Sequence, residues 1–266
     1  MKTYNETKLA QELIRFPTIK TEDKGIMKFL SKKLTAIGFK CTIIKSKGTG
    51  INPALNLYAR YGKSKPHIMY LGHTDVVANL DNWKLPPFKA VVSKGYLNGR
   101  GAQDMKGGIA CWISAVSNFI KNNKFKGSIS IIISADEETT GYGCPAVMKY
   151  IRKKSEKIDF SVVGEPSSNK SVGDEIRIGR RGSMNGVITV YGKSGHSAFY
   201  GSYINPCTAL AKIITKLKSS PLDNGTKYMP PSNLEFTKMN VDNLSENVVP
   251  QIASAKLNVR FNTKYN

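Results

Sequence analysis

Histidine is scarce in this chain, with only His67, His73 and His196 among 266 residues. Cysteine is nearly as rare, and Cys41, Cys111, Cys144 and Cys207 are widely spaced with no C-x-x-C pair. That spacing excludes a disulfide framework and a zinc knuckle. No run reaches the roughly 18–20 apolar residues needed to span a bilayer as a helix, so no membrane partner is expected. Met1 to Phe16 reads as a polar amphipathic helix without the apolar centre of a secretory leader, and a cytoplasmic location is expected. Acidic side chains are also few, 19 against 40 basic ones, giving a formal net charge of +21. The excess does not mark a nucleic-acid binder. Of the 40 cations 32 are lysine, spread along the chain, and the longest basic cluster is Arg152-Lys153-Lys154. A binding footprint would be clustered on one face. A positive surface can still steer an anionic small-molecule substrate.

The few acids and histidines present fall into ordered motifs: Gly72-His73-Thr74-Asp75, Gly101-Ala102-Gln103-Asp104-Met105-Lys106-Gly107-Gly108, Asp136-Glu137-Glu138 and Gly164-Glu165-Pro166. Singly, each has a bland reading: a His at a strand end is usually a hydrogen-bonded core residue, and Asp-Glu-Glu is usually a solvated turn. Together they differ. His73, Glu138 and Glu165 follow or end the apolar runs His67–Leu71, Ile129–Ser134 and Phe160–Val163, which read as buried strands. Ligands in α/β proteins gather at the carboxyl ends of strands. Imidazole nitrogen and carboxylate oxygen are the donors zinc accepts, and two ions about 3.5–4 Å apart can clamp both oxygens of a hydrolysis.

The series resembles the M20 metallopeptidase family, and within it the bacterial succinyl-diaminopimelate desuccinylase branch of lysine biosynthesis. The likeness runs along the whole chain. Trp83 to Gly108, Gly164-Glu165-Pro166-Ser167-Ser168 and Gly179-Arg180-Arg181-Gly182-Ser183 carry it most closely. It implies that His73 and Glu165 hold one metal, that Glu138 holds a second, and that Asp104 bridges them, with zinc favoured and cobalt able to serve. It implies that Asp75 orients His73 and that Glu137 is the general base, moving a proton from the attacking water to the leaving amine. The Asp104-Met105 link matches a position where the family has a non-proline cis peptide.

His196, in Gly192-Lys193-Ser194-Gly195-His196-Ser197-Ala198, matches the lid histidine that stabilises the oxyanion across a dimer interface. Arg180, Arg260 and Asn247 are the candidates for gripping substrate carboxylates, which suit the planar fork of arginine. Two departures stand out: Phe199 replaces a tyrosine common near the lid histidine, and the loop Ala78-Asn79-Leu80 lacks the family's prolines, although Asp81 is kept.

Periodicity gives the organisation. Helices are expected at Thr7–Phe16, Gly25–Ile37 and Met105–Asn122, and strands at Cys41–Ile44, Asn56–Tyr61, His67–Leu71, Ser128–Ala135 and Asp159–Val163. This is an α/β pattern, a mixed sheet with helices on both faces. After Arg180 come strands at Met184–Tyr191, Leu234–Val241 and Gln251–Phe261 around a helix at Pro206–Leu217, an α+β pattern with an antiparallel sheet. The expected division is a metal-binding catalytic domain over 1–180 and a lid and dimerisation domain, making a homodimer, over 181–266. Family members continue into a further catalytic segment with a late histidine. None follows Asn266, and His67 reads as structural. The expectation is therefore an incomplete enzyme, weakly active or inactive in this form. The alternatives are another deacylase of the family, of acetylornithine deacetylase or aminoacylase type, or a non-catalytic dimerising subunit.

Overall fold

The computed structural model describes residues 2–49, 52–78, 83–243 and 245–265. The expected features at Asn79, Leu80 and Asp81 lie outside the described residues. The chain divides into two compact units, Met1–Ser171 and Val172–Asn266, ahead of the division at 180 drawn from the sequence.

In the first unit the elements are α1 (Glu6–Ile14), α2 (Ile26–Thr35), β1 (Lys40–Ser46), β2 (Ala54–Tyr61), β3 (His67–His73), the short hairpin β4 (Val91–Ser93) and β5 (Tyr96–Asn98), α3 (Gly107–Asn122), β6 (Ser128–Ser134), α4 (Gly143–Lys153) and β7 (Phe160–Val163). Five strands form one sheet in the order β1-β2-β6-β3-β7. β1, β2 and β6 pair antiparallel, whereas β3 pairs parallel with both β6 and β7. The sheet is therefore mixed, and its three parallel strands end on the same side.

Alternation within β6 explains the layers. Ile129, Ile131 and Ile133 join Leu9, Leu30 and Ile109 in one core with residues of α1, α2 and α3. Ile132 points the other way and packs with Tyr58, Met69, Val147 and Ile151, under α4. Every residue of this central strand is buried, as a strand covered on both faces requires. Each of those isoleucines contributes about 1.5–3 kcal/mol relative to exposure. Local signals fix the helix starts: Asn5 accepts the amide hydrogen of Lys8 at 2.9 Å to cap α1, and Asp23 accepts from Gly25 and Met27 ahead of α2.

Two expectations are corrected and one further element appears. Phe160–Val163 is not buried; β7 stands at the sheet edge and Phe160 is 64 % exposed. An apolar run does not by itself distinguish an edge strand from a central one. The helix expected from Met105 starts at Gly107, after one wide turn, Ala102–Lys106, in which Asp104 and Met105 leave helical conformation. Finally, α4 was not anticipated: its start, Gly143-Cys144-Pro145, carries turn chemistry, and its buried stripe is only Gly143, Val147 and Ile151.

The second unit contains β8 (Gly182–Tyr191), β9 (Gly195–His196), α5 (Pro206–Lys218), β10 (Asn233–Asn240), β11 (Val248–Val249) and β12 (Ile252–Phe261). An antiparallel sheet in the order β10-β12-β8 is covered by α5, where Leu210 meets Ala253 and Ala255. Asn205 caps α5 by accepting from Cys207 and Thr208, with Pro206 in the first turn. A separate two-stranded ribbon joins β9 to β11.

Candidate metal centre

The first unit gathers its acids because β3, β6 and β7 run in one direction. His73 ends β3 opposite Ser134, the last residue of β6, and Leu71 lies opposite Val163, the last residue of β7. The residues just beyond these strands therefore come to one place: Asp75 after β3, Asp136-Glu137-Glu138 after β6 and Glu165 after β7. Asp104 arrives from the wide turn before α3, at a cis Asp104–Met105 peptide as the resemblance implied.

His73 is 1 % exposed. Its Nδ1 lies 3.0 Å from the backbone carbonyl of Asp75 and donates to it, leaving Nε2 turned toward the acids. Nε2 is 3.0 Å from Asp104 Oδ1, 3.7 Å from Glu165 Oε1 and 4.0 Å from Glu137 Oε2. His73, Asp104 and Glu138 each offer one atom within 4.8 Å of the others, and so do His73, Glu137 and Glu165. Such crowding calls for positive charge. Burial opposes a charge on His73, yet hydrogen bonding and charge from Asp75, with Glu165 and Glu137, raise its pKa to about 9. Burial, and then the charge of Asp104, push the Glu138 carboxyl up. An imidazole with several carboxylates and no thiolate is a donor set that fits divalent ions such as zinc.

Asp75 meets His73 mainly through its backbone. Its carboxylate is 3.5 Å from His73 Nδ1, farther than its own carbonyl. Instead Oδ1 accepts the backbone N–H of Glu137 at 3.1 Å and Oδ2 that of Glu138 at 2.9 Å. Two consecutive amides leaving a buried strand need acceptors, and one carboxylate meets both.

Sequence reasoning missed the supports around this turn. Asp136 is fully buried and accepts from Thr140 Oγ1 at 2.7 Å and from the amides of Tyr142 and Gly143. Asn56 accepts from Ala135 and donates to Ile44 and Ser46. A side chain at Gly143 would collide with Asn56 and Asp136. The Thr140-Gly141-x-Gly143 run after an aspartate was the available signal. Lys106 was also missed. It is fully buried, donates from Nζ to the Phe16 carbonyl at 2.7 Å, and is lowered by burial to about 7 despite Asp75. Beside it Thr18 bonds the carbonyl of Thr74 and accepts from Val76. His67, by contrast, is structural as anticipated, with Nδ1 against the Lys157 carbonyl and Nε2 against Ser130.

A cavity of about 490 Å³ opens beside the acids, lined by Trp83, Arg100, Gln103, Asp104 and Glu138. The Arg100 guanidinium lies 5.1 Å from the Trp83 ring centre.

In the second unit, Arg180 and Arg260 meet on one cavity together with Arg177, Arg181 and Tyr228. Arg181 is tied to the Pro231 carbonyl and Asn233. Asn247 does not line that cavity. Its amide lies 3.2 Å from Nε2 of His196, which is exposed on β9 with Phe199 edge-on to its ring at 5.6 Å.

Residues 69–262 match Peptidase family M20/M25/M40. The succinyl-diaminopimelate desuccinylase of Pelagibacter ubique is 49 % identical over the whole chain, which covers 70 % of that protein. That of Ehrlichia canis is 44 % identical over 96 % of the chain and 68 % of its own length. Among solved structures, the M20 family metallo-carboxypeptidase Sso-CP2 of Sulfolobus solfataricus superposes with a TM-score of 0.71 at 19 % identity, over 99 % of this chain and 72 % of the other. A tripeptidase of Staphylococcus aureus gives 0.72 at 17 % identity, over 99 % and 68 %. The fold, the motif order and these relatives agree: the chain belongs to peptidase family M20/M25/M40.

Proposed function

We propose that the protein is a metal-dependent amidohydrolase that cleaves N-succinyl-L,L-diaminopimelate to succinate and L,L-diaminopimelate. The observation that carries the chemistry is the convergence of His73, Glu137, Glu138 and Glu165 at the ends of three parallel strands with Asp104 from the turn before α3. The substrate follows from relatives of that name at 41–49 % identity.

His73 and Glu165 would hold one divalent ion and Glu138 a second, with Asp104 completing the donor set. Zinc suits the donors and cobalt can replace it. When bound, the ions supply Lewis acidity and a lowered water pKa. Glu137 takes a proton from the attacking water as its oxygen bonds to the amide carbon. The C–N bond then breaks and Glu137 delivers that proton to the departing nitrogen. His73 keeps its Nδ1 proton on the Asp75 carbonyl throughout. Arg180 and Arg260 grip substrate carboxylates by two-pronged hydrogen bonds, Asn247 adds a contact, and His196 donates to the oxyanion. The second unit serves as the lid and dimerises, and the enzyme works in the cytoplasm.

The test is turnover of succinyl-diaminopimelate against N-acetylornithine by the full gene product loaded with zinc. Preference for the succinyl substrate of at least about 100-fold is expected, since a site built around charged partners rejects analogues lacking them. Equal or better turnover of the acetyl substrate would overturn the assignment in favour of a deacetylase.

A further inference from the structure

We propose that Ser245 and Asn247 form a relay that fixes His196 in its Nε2–H tautomer, holding ready the hydrogen that the oxyanion takes. The inference deepens the proposed function, because it rests on His196 being the oxyanion donor.

The ribbon brings the partners together. Val248 pairs with His196 across β11 and β9, and the amide of Ser197 donates to the carbonyl of Asn247 at 2.9 Å. Asn247 is thus placed beside the ring by backbone. Its neighbour Asn243 closes the loop by donating to the carbonyls of Ser245 at 3.0 Å and Val248 at 2.8 Å.

The proton positions come from counting donors and acceptors. The backbone amide of Ala198 lies 3.1 Å from His196 Nδ1. A backbone N–H can only donate, so Nδ1 accepts and carries no hydrogen. A neutral imidazole has one N–H, which is therefore on Nε2. The Asn247 amide arm 3.2 Å from Nε2 must accept it, since an amide NH₂ there would set donor against donor. The structure places Nδ2 toward the ring and Oδ1 toward Ser245, and the two arms of an amide exchange places by a half-turn. With Oδ1 facing Nε2–H, the Nδ2 arm faces Ser245 Oγ at 2.9 Å, and a hydroxyl can accept. One direction satisfies every partner: Ala198 N–H to Nδ1, Nε2–H to Asn247 Oδ1, Asn247 Nδ2–H to Ser245 Oγ.

The same atoms explain the timing. The hydrogen needed by the oxyanion is occupied by Asn247 until substrate arrives, so donation to the oxyanion exchanges one acceptor for another. Asn247 is then free to turn to the substrate. It acts on the reaction through His196 first, as a positioning residue.

The experiment is ¹⁵N–¹H correlation of the histidine rings in the full chain at low temperature and alkaline pH, with His196 assigned by its loss in His196→Gln. The relay predicts an Nε2–H tautomer with a directly observed ring N–H proton. That signal persists in Asn247→Asp, weakens in Ser245→Ala and is lost to solvent exchange in Asn247→Ala. In the full gene product, Asn247→Ala lowers kcat about 10-fold or more while KM changes less, as loss of an orienting partner does. An Nδ1–H tautomer in the unmodified protein, or an unchanged ring signal in Asn247→Ala, overturns the relay. So does a variant whose KM alone rises. If the tautomer and its dependence hold but His196→Gln keeps full kcat, the relay stands and the oxyanion role of His196 falls.

Discussion

His73 is almost wholly buried, its Nδ1 proton held by a backbone carbonyl and its Nε2 turned to acids that are themselves fixed by strand ends. His196 stands exposed on a two-stranded ribbon, held by one amide hydrogen and the side chain of Asn247. The neighbouring carboxylates differ in the same way. Asp75 and Asp136 are buried and spend their oxygens on main-chain amides and a threonine hydroxyl. The arginines of the second unit line an open cavity. The first unit thus builds its geometry into the backbone, so that little has to move before reaction. The second carries its groups on surfaces that can adjust to a ligand. Under the proposed function, rigidity falls where ions would be held and adaptability where an anionic substrate would be gathered.

The largest effect expected from breaking this contrast comes at Asp75. Asp75→Ala strands the amides of Glu137 and Glu138 and should cost about 2–4 kcal/mol of stability in chemical denaturation. Activity should fall by about 10–100-fold even where metal content is restored. A variant with normal kcat would show that the turn holds its shape without that carboxylate. Gly143→Ala comes next. Its methyl group presses on Asn56 and Asp136, and a melting experiment should register a loss of about 1–3 kcal/mol, with activity reduced in proportion to the displacement of Glu137.

In the second unit Arg260→Lys should leave the fold intact. Steady-state kinetics should show KM raised about 10-fold with kcat little altered, because a lysine offers a point charge where a fork is needed. A fall in kcat alone would place Arg260 at the reacting bond.

The smallest effect concerns acid stability. Asp223 accepts from Ser232, Gly225 and Asn262, which hold its pKa down at about 2. A group depressed in the fold stabilises it above the unfolded value of about 3.9 and loses that contribution as pH falls through about 2. Urea titrations of the protein and of Asp223→Asn should therefore differ above pH about 4 and converge as the pH approaches 2.

Much of this was legible from residue order, for a physical reason. The acids of the candidate centre are contiguous with the strands that carry them, so apolar runs followed by His73, Glu138 and Glu165 pointed to both the sheet and the place where these residues gather. Partners that meet only across space were not legible. Asp136 looks like one more acid until Gly143 and Thr140 fold back on it, and Asn56 sits on a different strand. Lys106 reads as a surface cation, yet it is buried among the segments leading to the site. The apolar residues of Phe160–Val163 suited a central strand as well as the edge they occupy, because composition registers hydrophobicity and not the number of neighbours. α4 escaped notice because its buried face is narrow and it opens on glycine and proline.

The double engagement of Asp75 has a consequence for how this protein can change. Its carbonyl takes the His73 proton while its carboxylate grips the two residues after β6, so a single residue clamps the ends of two adjacent strands. Thermal breathing of the sheet or drift in distant packing then carries the imidazole, Glu137 and Glu138 together as one body. The surrounding core is free to vary over evolutionary time without resetting the distance between the imidazole and the two glutamates.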